Sequence, residues 1–308
     1  MEIITSLKNF HSFERPCVIA LGTFDGLHLG HQDVISSAAK YAREHDCRLA
    51  VFTFSNHPFS LIKPSEAPVS LIGSKEKYAL LEQMGVDLLL EVPFDRQLAE
   101  LSPDEFLQQL RKLNFVCLAV GENFNFGWHG TGNIATLKNF AAEQGFKLIV
   151  RPLVSENGII ISSTEIRKLI SSGNITDANR MLGRPYVLAG VVKKGFQRGR
   201  LLNFPTANIE LDAVQEAVPR TGVYAVRVTV GGTLYYGMAN IGMNPTFGDL
   251  VSARLETHIF DFKDVIYGCH LSVEFHQFIR AEQKFSSVEE LQKQLLADSM
   301  ECRKFFAL

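Results

Sequence analysis

The sequence has no surplus of positive charge. Its 31 lysines and arginines stand against 33 aspartates and glutamates, a formal net charge of −2 over 308 residues with histidine neutral. Holding a nucleic-acid backbone takes an excess of clustered cations, so no nucleic-acid partner is expected. Long apolar runs are also missing. The apolar runs, such as 88–90 and 159–161, fall far short of the ~20 residues that span a bilayer, and no membrane partner is expected. The five cysteines (Cys17, Cys47, Cys117, Cys269 and Cys302) are odd in number, irregularly spaced and without a C-x-x-C pair. That pattern argues against a disulfide framework and a zinc ribbon. The opening residues, MEIITSLKNF, lack the apolar core of a secretory signal. These absences together predict a cytoplasmic protein in a reducing compartment. There is no internal repeat and no low-complexity tract.

What is present is ordinary globular composition, 46% apolar and 21% charged. At ~100–200 residues per domain the length predicts about two domains. The first half alternates strand-like and helix-like segments. Strands are expected at 17–21, 48–54, 86–92, 115–120 and 146–151, and helices at 30–45, 75–84, 103–113 and 134–144. Ser102 with Glu105 forms a capping-box signal at the start of the third helix. Such β-α-β alternation predicts a parallel sheet covered by helices, with ligands at the strands' C-terminal ends. Near 183–186 (G-R-P-Y) the texture changes to β-rich runs at 186–193, 223–230, 233–240, 255–260 and 270–280. Gly231-Gly232 is a hairpin signal, and an amphipathic helix is expected at 288–305. A β-barrel with a terminal helix fits this half. The expected domains are 1–184 and 185–308.

Two segments carry chemistry. The first is G-T-F-D-G-L-H-L-G-H, residues 22–31. Its glycines allow close backbone approach. His28 and His31 stand three apart at the start of a helix, where free N–H groups suit a phosphate. A metal site would want further ligands at recognisable spacing, and none is evident. The other reading is a plain strand-to-helix turn with surface histidines. In I-S-S-T-E-I-R, 161–167, Ser162, Ser163 and Thr164 can cap a helix beginning near Glu165, and the same groups suit phosphate. The second segment is G-V-V-K-K-G-F-Q-R-G-R-L-L-N-F-P-T-A-N, 190–208. It has glycines and cations suited to a phosphate cradle, and Thr206 and Asn208 as oxygen donors two apart. A solvated basic hairpin is the alternative there.

The 22–31 string resembles the H-x-G-H motif of nucleotidyltransferases, which split ATP between its α- and β-phosphates. More narrowly it resembles the G-x-F-D-G-x-H-x-G-H of the bacterial bifunctional riboflavin kinase/FMN adenylyltransferase family. Further segments fit in order: F-T-F-S-N-H-P (52–58), G-E-N-F-N-F-G (121–127), I-S-S-T-E-I-R (161–167) and G-R-L-L-N-F-P-T-A-N (199–208). They continue with P-R-T-G-V-Y (219–224), G-M-A-N-I-G (237–242), N-P-T-F (244–247), L-E-T-H-I-F-D (255–261) and R-A-E-Q-K-F (280–285). The resemblance spans essentially the whole chain.

It implies a Rossmann-like nucleotidyltransferase domain followed by an antiparallel riboflavin kinase barrel with a terminal helix. The substrates would be ATP, riboflavin and FMN, with Mg²⁺ as cofactor, in a monomer or weak homo-oligomer. His28 and His31 would be catalytic in adenylyl transfer. Gly22, Phe24, Gly30, Ser163, Thr164 and Arg167 would bind the nucleotide phosphates, and Asn123 and Phe124 would place FMN. In the kinase, Gly190, Gly195 and Gly199 would face ATP, Thr206 and Asn208 the metal, and Arg280 and Glu282 the flavin. Glu256 would be the general base for riboflavin's 5′-hydroxyl. The sequence departs from the family pattern at Asn125, His129, Asn203 and Asn244. Rival readings are an enzyme with one working half, a flavin-binding regulator with vestigial sites, and an aminoacyl-tRNA synthetase relative.

Overall fold

The computed structural model describes residues 1–9, 12–195, 204–212, 216–245 and 251–308. By packing the chain divides into two compact units, Met1–Ser162 and Ser163–Leu308.

The first unit is built on β1 (Glu2–Ile4), β2 (Cys17–Leu21), α1 (Leu29–Glu44), β3 (Arg48–Phe54), the short α2 (Phe59–Ile62), α3 (Ser74–Gln83) and β4 (Leu88–Val92). It continues through the short α4 (Arg96–Ala99), α5 (Pro103–Arg111), β5 (Phe115–Gly121), α6 (Ile134–Gln144) and β6 (Lys147–Arg151). A two-residue-stranded hairpin, β7 (Ser155–Glu156) and β8 (Ile159–Ile160), follows. Strands β1 to β6 form one sheet in the order β1-β4-β3-β2-β5-β6, parallel at every pairing.

Successive side chains of a strand point to opposite faces, and the core obeys this. Cys17, Ile19 and Leu21 of β2 join one apolar cluster with Phe106, Leu107 and Leu110 of α5 and Leu137 of α6. Val18 and Ala20 join the other, with Val34, Ile35 and Ala38 of α1 and Leu81 of α3. Both faces are therefore covered, and strands buried on two sides read as continuous apolar runs. The capping box forms as expected: Ser102 Oγ accepts from the Glu105 N–H at 3.2 Å, and the Glu105 carboxylate accepts from the Ser102 N–H at 2.8 Å.

The second unit begins with α7 (Ser163–Ser172) and α8 (Ile175–Leu182). It continues through β9 (Tyr186–Lys193), β10 (Ala207–Leu211), β11 (Gly222–Val230), β12 (Thr233–Pro245), β13 (Val251–Ile259) and β14 (His270–Arg280), and ends in α9 (Val288–Phe305). The strands close an antiparallel barrel in the order β10-β13-β12-β11-β14-β9, with β9 also pairing β10. Burial alternates residue by residue along β9 and over much of β14. Gly231 and Gly232 both take positive φ, +55° and +86°, at the β11–β12 turn, the conformation a two-residue hairpin loop demands.

Several expectations are corrected. The helix expected near Glu165 begins at Ser163, so Ser163 and Thr164 lie in its first turn. Three consecutive hydroxyl residues are all competent caps, and the sequence alone does not choose among them. β12 runs to Pro245, past the expected residue 240, and β13 starts at Val251, before the expected residue 255. β1 and β10 are strands the sequence reading did not place; β1, at three residues, is too short to show a period. α8 packs on β14 and β9. The Asn179 side chain accepts from the Tyr186 N–H and donates to the Phe275 carbonyl, both at 2.8 Å.

Candidate active sites

In the parallel sheet β2 is followed by its neighbour β3, whereas β5 returns to β2's other side. This reversal is the topological switch point where open α/β sheets bind ligands. Three of the motifs leave the C-terminal ends of the three strands there: 52–58 from β3, 22–31 from β2 and 121–127 from β5. Parallel register sets those ends side by side, with Leu21 opposite Phe52 and Ala20 opposite Ala119.

The 22–31 turn is tightly wound. Phe24, Gly26 and Leu27 all take positive φ, +47°, +81° and +43°, and only the glycine does so without steric cost. Phe24 and Leu27 are buried beneath the turn. His28 is the N-cap of α1, its Nδ1 accepting from the His31 N–H at 3.3 Å. Acceptance at Nδ1 leaves the ring proton on Nε2. The rings of His28 and His31 stack with centroids 3.6 Å apart, and the Phe24 ring meets His31 edge-on at 5.3 Å. A Cβ on Gly30 would come within 3.2 Å of the His28 ring, and one on Gly22 within 2.9 Å of the Phe24 ring. Both glycines therefore permit this packing.

His31 is half-buried overall, but its Nδ1 is shielded and has no hydrogen-bond partner among the described residues. Burial, and after it the charges of His28 and Lys77, hold the His31 pKa well below 6.5. Its imidazole is neutral at pH 7. An unsatisfied buried nitrogen at a helix N-terminus is a polar feature that calls for a partner.

Asn123 and Phe124 sit in the turn after β5. Asn123 is exposed, while Phe124 is half-buried against the apolar cluster and stacks with Phe126 at 5.6 Å. Asn125 donates to the Asn123 carbonyl at 3.0 Å, so this departure from the family pattern supports the turn. His129 is exposed with φ +53°. Ser163, Thr164 and Arg167 are carried by α7 in the second unit, Ser163 and Arg167 half-buried and Thr164 exposed.

The barrel gathers its candidates differently. Cross-strand pairing aligns Lys193, Asn208, Glu256, Asn240, Val223 and Arg280 in one row through all six strands. Val223 packs with Cys302 of α9, so the row lies on the barrel's outer face beside that helix. Arg254 donates to Asn208 Oδ1 at 3.0 Å and pairs with the Glu256 carboxylate. Gly195 lies against the Asn208 side chain, and Asn240 Nδ2 donates to Glu282 at 3.4 Å. Thr206, exposed, precedes β10.

Gly190 and Arg280 also have structural partners. Gly190 is within β9, where a Cβ would sit 2.0 Å from the Glu210 carbonyl oxygen, so strand packing alone demands glycine there. Arg280 makes a bidentate pair with buried Asp298 of α9, at 2.8 and 2.7 Å, which ties the helix to the barrel. Gly199 and the departure Asn203 lie outside the described residues, as does the side chain of Asn244.

Sequence reasoning missed Lys77, Thr53 and Glu91, which are buried beside the first turn. It also missed His258, whose Nδ1 lies 2.8 Å from the Pro205 carbonyl and whose pKa burial lowers. Thr53 and His258 lie within the 52–58 and 255–261 motifs, whereas no motif or spacing marks Lys77 or Glu91.

Among the described residues no helix is long and apolar enough to cross a membrane, and no group of three or more His, Cys, Asp or Glu could hold a metal.

A family model for FAD synthetase matches residues 10–165, and one for riboflavin kinase matches residues 182–306. The bifunctional riboflavin kinase/FMN adenylyltransferase of Bacillus subtilis is 38% identical over 94% of this chain and 92% of its own. Its Escherichia coli K12 counterpart is 35% identical over 100% and 99%. A crystal structure described as a macrolide-efflux protein from Streptococcus pneumoniae superposes with a TM-score of 0.91 at 34% identity, covering 98% of each chain. Its fold is this one, but its description names a transport activity that neither family model shares. On the two matched models and these full-length likenesses, the chain belongs to the bifunctional riboflavin kinase/FMN adenylyltransferase family.

Proposed function

We propose that the chain phosphorylates riboflavin with ATP to give FMN in its barrel, and adenylylates FMN with a second ATP to give FAD and pyrophosphate on its parallel-sheet half. The observation that carries the second reaction is the stacked His28–His31 pair capping α1 at the switch point of the sheet. In adenylyl transfer the FMN phosphate attacks the α-phosphorus and pyrophosphate leaves. The nucleophile is already an anion, so alignment and stabilisation of the leaving charge are what remain to be supplied. His28, with its proton on Nε2, donates toward the phosphates. His31, neutral, adds a second donor without a competing internal bond. By motif, Ser163, Thr164 and Arg167 are assigned to pyrophosphate, Gly22, Phe24 and Gly30 to the ATP side, and Asn123 and Phe124 to FMN.

In the barrel the attacking group is a neutral hydroxyl that must lose a proton. Glu256 takes it. Arg254, bridging Glu256 and Asn208, fixes the carboxylate's direction. Gly195 and Gly199 are assigned to ATP and Glu282 to the flavin. Gly190 and Arg280 contribute through the packing already described. The donors nearest the row, Thr206 and Asn208, are hard oxygens of the kind Mg²⁺ takes alongside phosphate. They would hold the ion, which on binding neutralises phosphate charge. We place the domain boundary for function near residue 184 and the activity in the cytoplasm.

The test is direct. The purified chain is incubated with riboflavin and Mg-ATP and the flavins are separated. FMN followed by FAD is expected. FMN alone or FAD only from supplied FMN would mean one working half, and neither product would overturn the reading.

A further inference from the structure

Lys77 and Glu91 form an ion pair, at 3.0 Å, whose side chains are 10% and 9% exposed. Such a pair loses hydration on folding and is commonly replaceable by apolar residues without loss of stability. Its burial here therefore calls for a reason beyond stability. Its position supplies one. Glu91 of β4 is the register partner of Thr53 of β3, both at the C-terminal ends of their strands, where the 22–31 turn begins. Lys77 Nζ also donates to Thr53 Oγ1 at 3.4 Å, and Thr53 Oγ1 donates to the Thr23 carbonyl at 2.8 Å. Tyr78 donates to the other Glu91 oxygen. The same stretch of chain clamps the turn two residues on, where the Asp25 carboxylate accepts from the Leu71 N–H at 2.9 Å and from the Ser70 hydroxyl at 3.3 Å. Between these two anchors lies Phe24, whose ring meets His31.

We propose that Lys77, held by Glu91 and acting through Thr53, is a positioning residue for adenylyl transfer: it fixes the turn that carries Phe24, His28 and His31. A turn with two non-glycine residues, Phe24 and Leu27, at positive φ stores strain, and such conformations persist only where the surroundings over-determine them. The buried lysine gives that constraint from below, and its fixed charge also helps keep His31 neutral. This inference rests on the adenylyltransferase reading above.

The test separates positioning from stability. Lys77→Met is expected to lower kcat for FMN to FAD by about 10²-fold, the scale of a misplaced reacting group. Phosphorylation of riboflavin by the same molecules should be unchanged. The double variant Lys77→Met/Glu91→Leu removes both charges. It is expected to recover the wild-type melting temperature while kcat stays low and KM for FMN and ATP moves little. Thr53→Val, which cuts the links from Thr53 to Lys77 and Thr23 but keeps the Lys77–Glu91 pair, should show the same kcat-against-KM split to a smaller degree. A double variant that melts like the wild type and adenylylates at the wild-type kcat overturns the inference. If the double variant does not fold, wild-type kcat in Thr53→Val overturns it alone. A wild-type chain that makes no FAD overturns the functional reading first, and this inference with it.

Discussion

In the parallel-sheet unit the candidate residues hang from strand ends, on turns that the sheet brings together. In the barrel they lie along the strands themselves, brought together by register. His28 and His31 are three residues apart in the chain and stacked in space. Asn208, Glu256 and Asn240 are separated by up to 48 positions in sequence and sit on adjacent strands. Under the proposed function the two designs would meet different chemical demands. Adenylyl transfer needs donors aimed at a leaving anion, and a helix N-terminus with a glycine-rich approach provides them in one contiguous stretch. Hydroxyl phosphorylation needs a carboxylate beside a nucleotide site, and a rigid strand holds that carboxylate in place.

If the two sites are separate devices, each should fail alone. The largest effect is expected at Glu256. Gln keeps the size and one acceptor oxygen but takes no proton, so Glu256→Gln should slow riboflavin phosphorylation by about 10²–10⁴-fold. Adenylylation of supplied FMN should continue. Single-turnover rates with melting temperature on the same preparation check this, and wild-type phosphorylation in the variant would remove Glu256 from the mechanism.

His28→Ala or His31→Ala should show the mirror image. FAD formation is expected to fall by about 10²–10³-fold, with FMN formation intact. Equal loss of both activities in a folded variant would break the comparison.

A smaller effect concerns the division between the halves. Residues 163–308 and residues 185–308 both contain the whole barrel and should both convert riboflavin to FMN. The shorter fragment loses the apolar face of α8 and both Asn179 hydrogen bonds, each worth roughly 1 kcal/mol. It should melt at least about 5 °C lower. Equal melting temperatures would mean that α7 and α8 do not stabilise the barrel.

The smallest effect is a pH slope. Because the His31 pKa is held below 6.5, the unfolded chain takes up the proton first as acid is added. The stability that follows from a neutral His31 is fully present above pH 6.5. It is lost as pH falls below that value toward the folded pKa, at about 1.4 kcal/mol per pH unit. His31→Asn, which does not titrate, should flatten the fall in melting temperature below pH 6.5. An unchanged slope would assign the acid sensitivity to other groups.

The sequence by itself determined the class of each half and the contiguous parts of its chemistry. Alternating segments implied the parallel sheet, Gly231-Gly232 a hairpin, Ser102 and Glu105 a cap, and residues 22–31 a strand-to-helix turn. All of these rest on interactions between residues a few positions apart, which periodicity and cap chemistry report. Tertiary structure alone decided the rest. β1 is three residues long and becomes a strand because β4 offers it an edge. That the Glu210 carbonyl lies against Gly190 is seen only in the folded barrel, as is the pairing of Arg280 with Asp298 of α9. Lys77 looks like any helix lysine, and only the pairing of β3 with β4 buries it against Glu91 beneath the turn. The reason is common to all four. A residue's partner across a sheet or helix interface is set by register and packing over the whole unit, and no local pattern encodes which distant residue that will be.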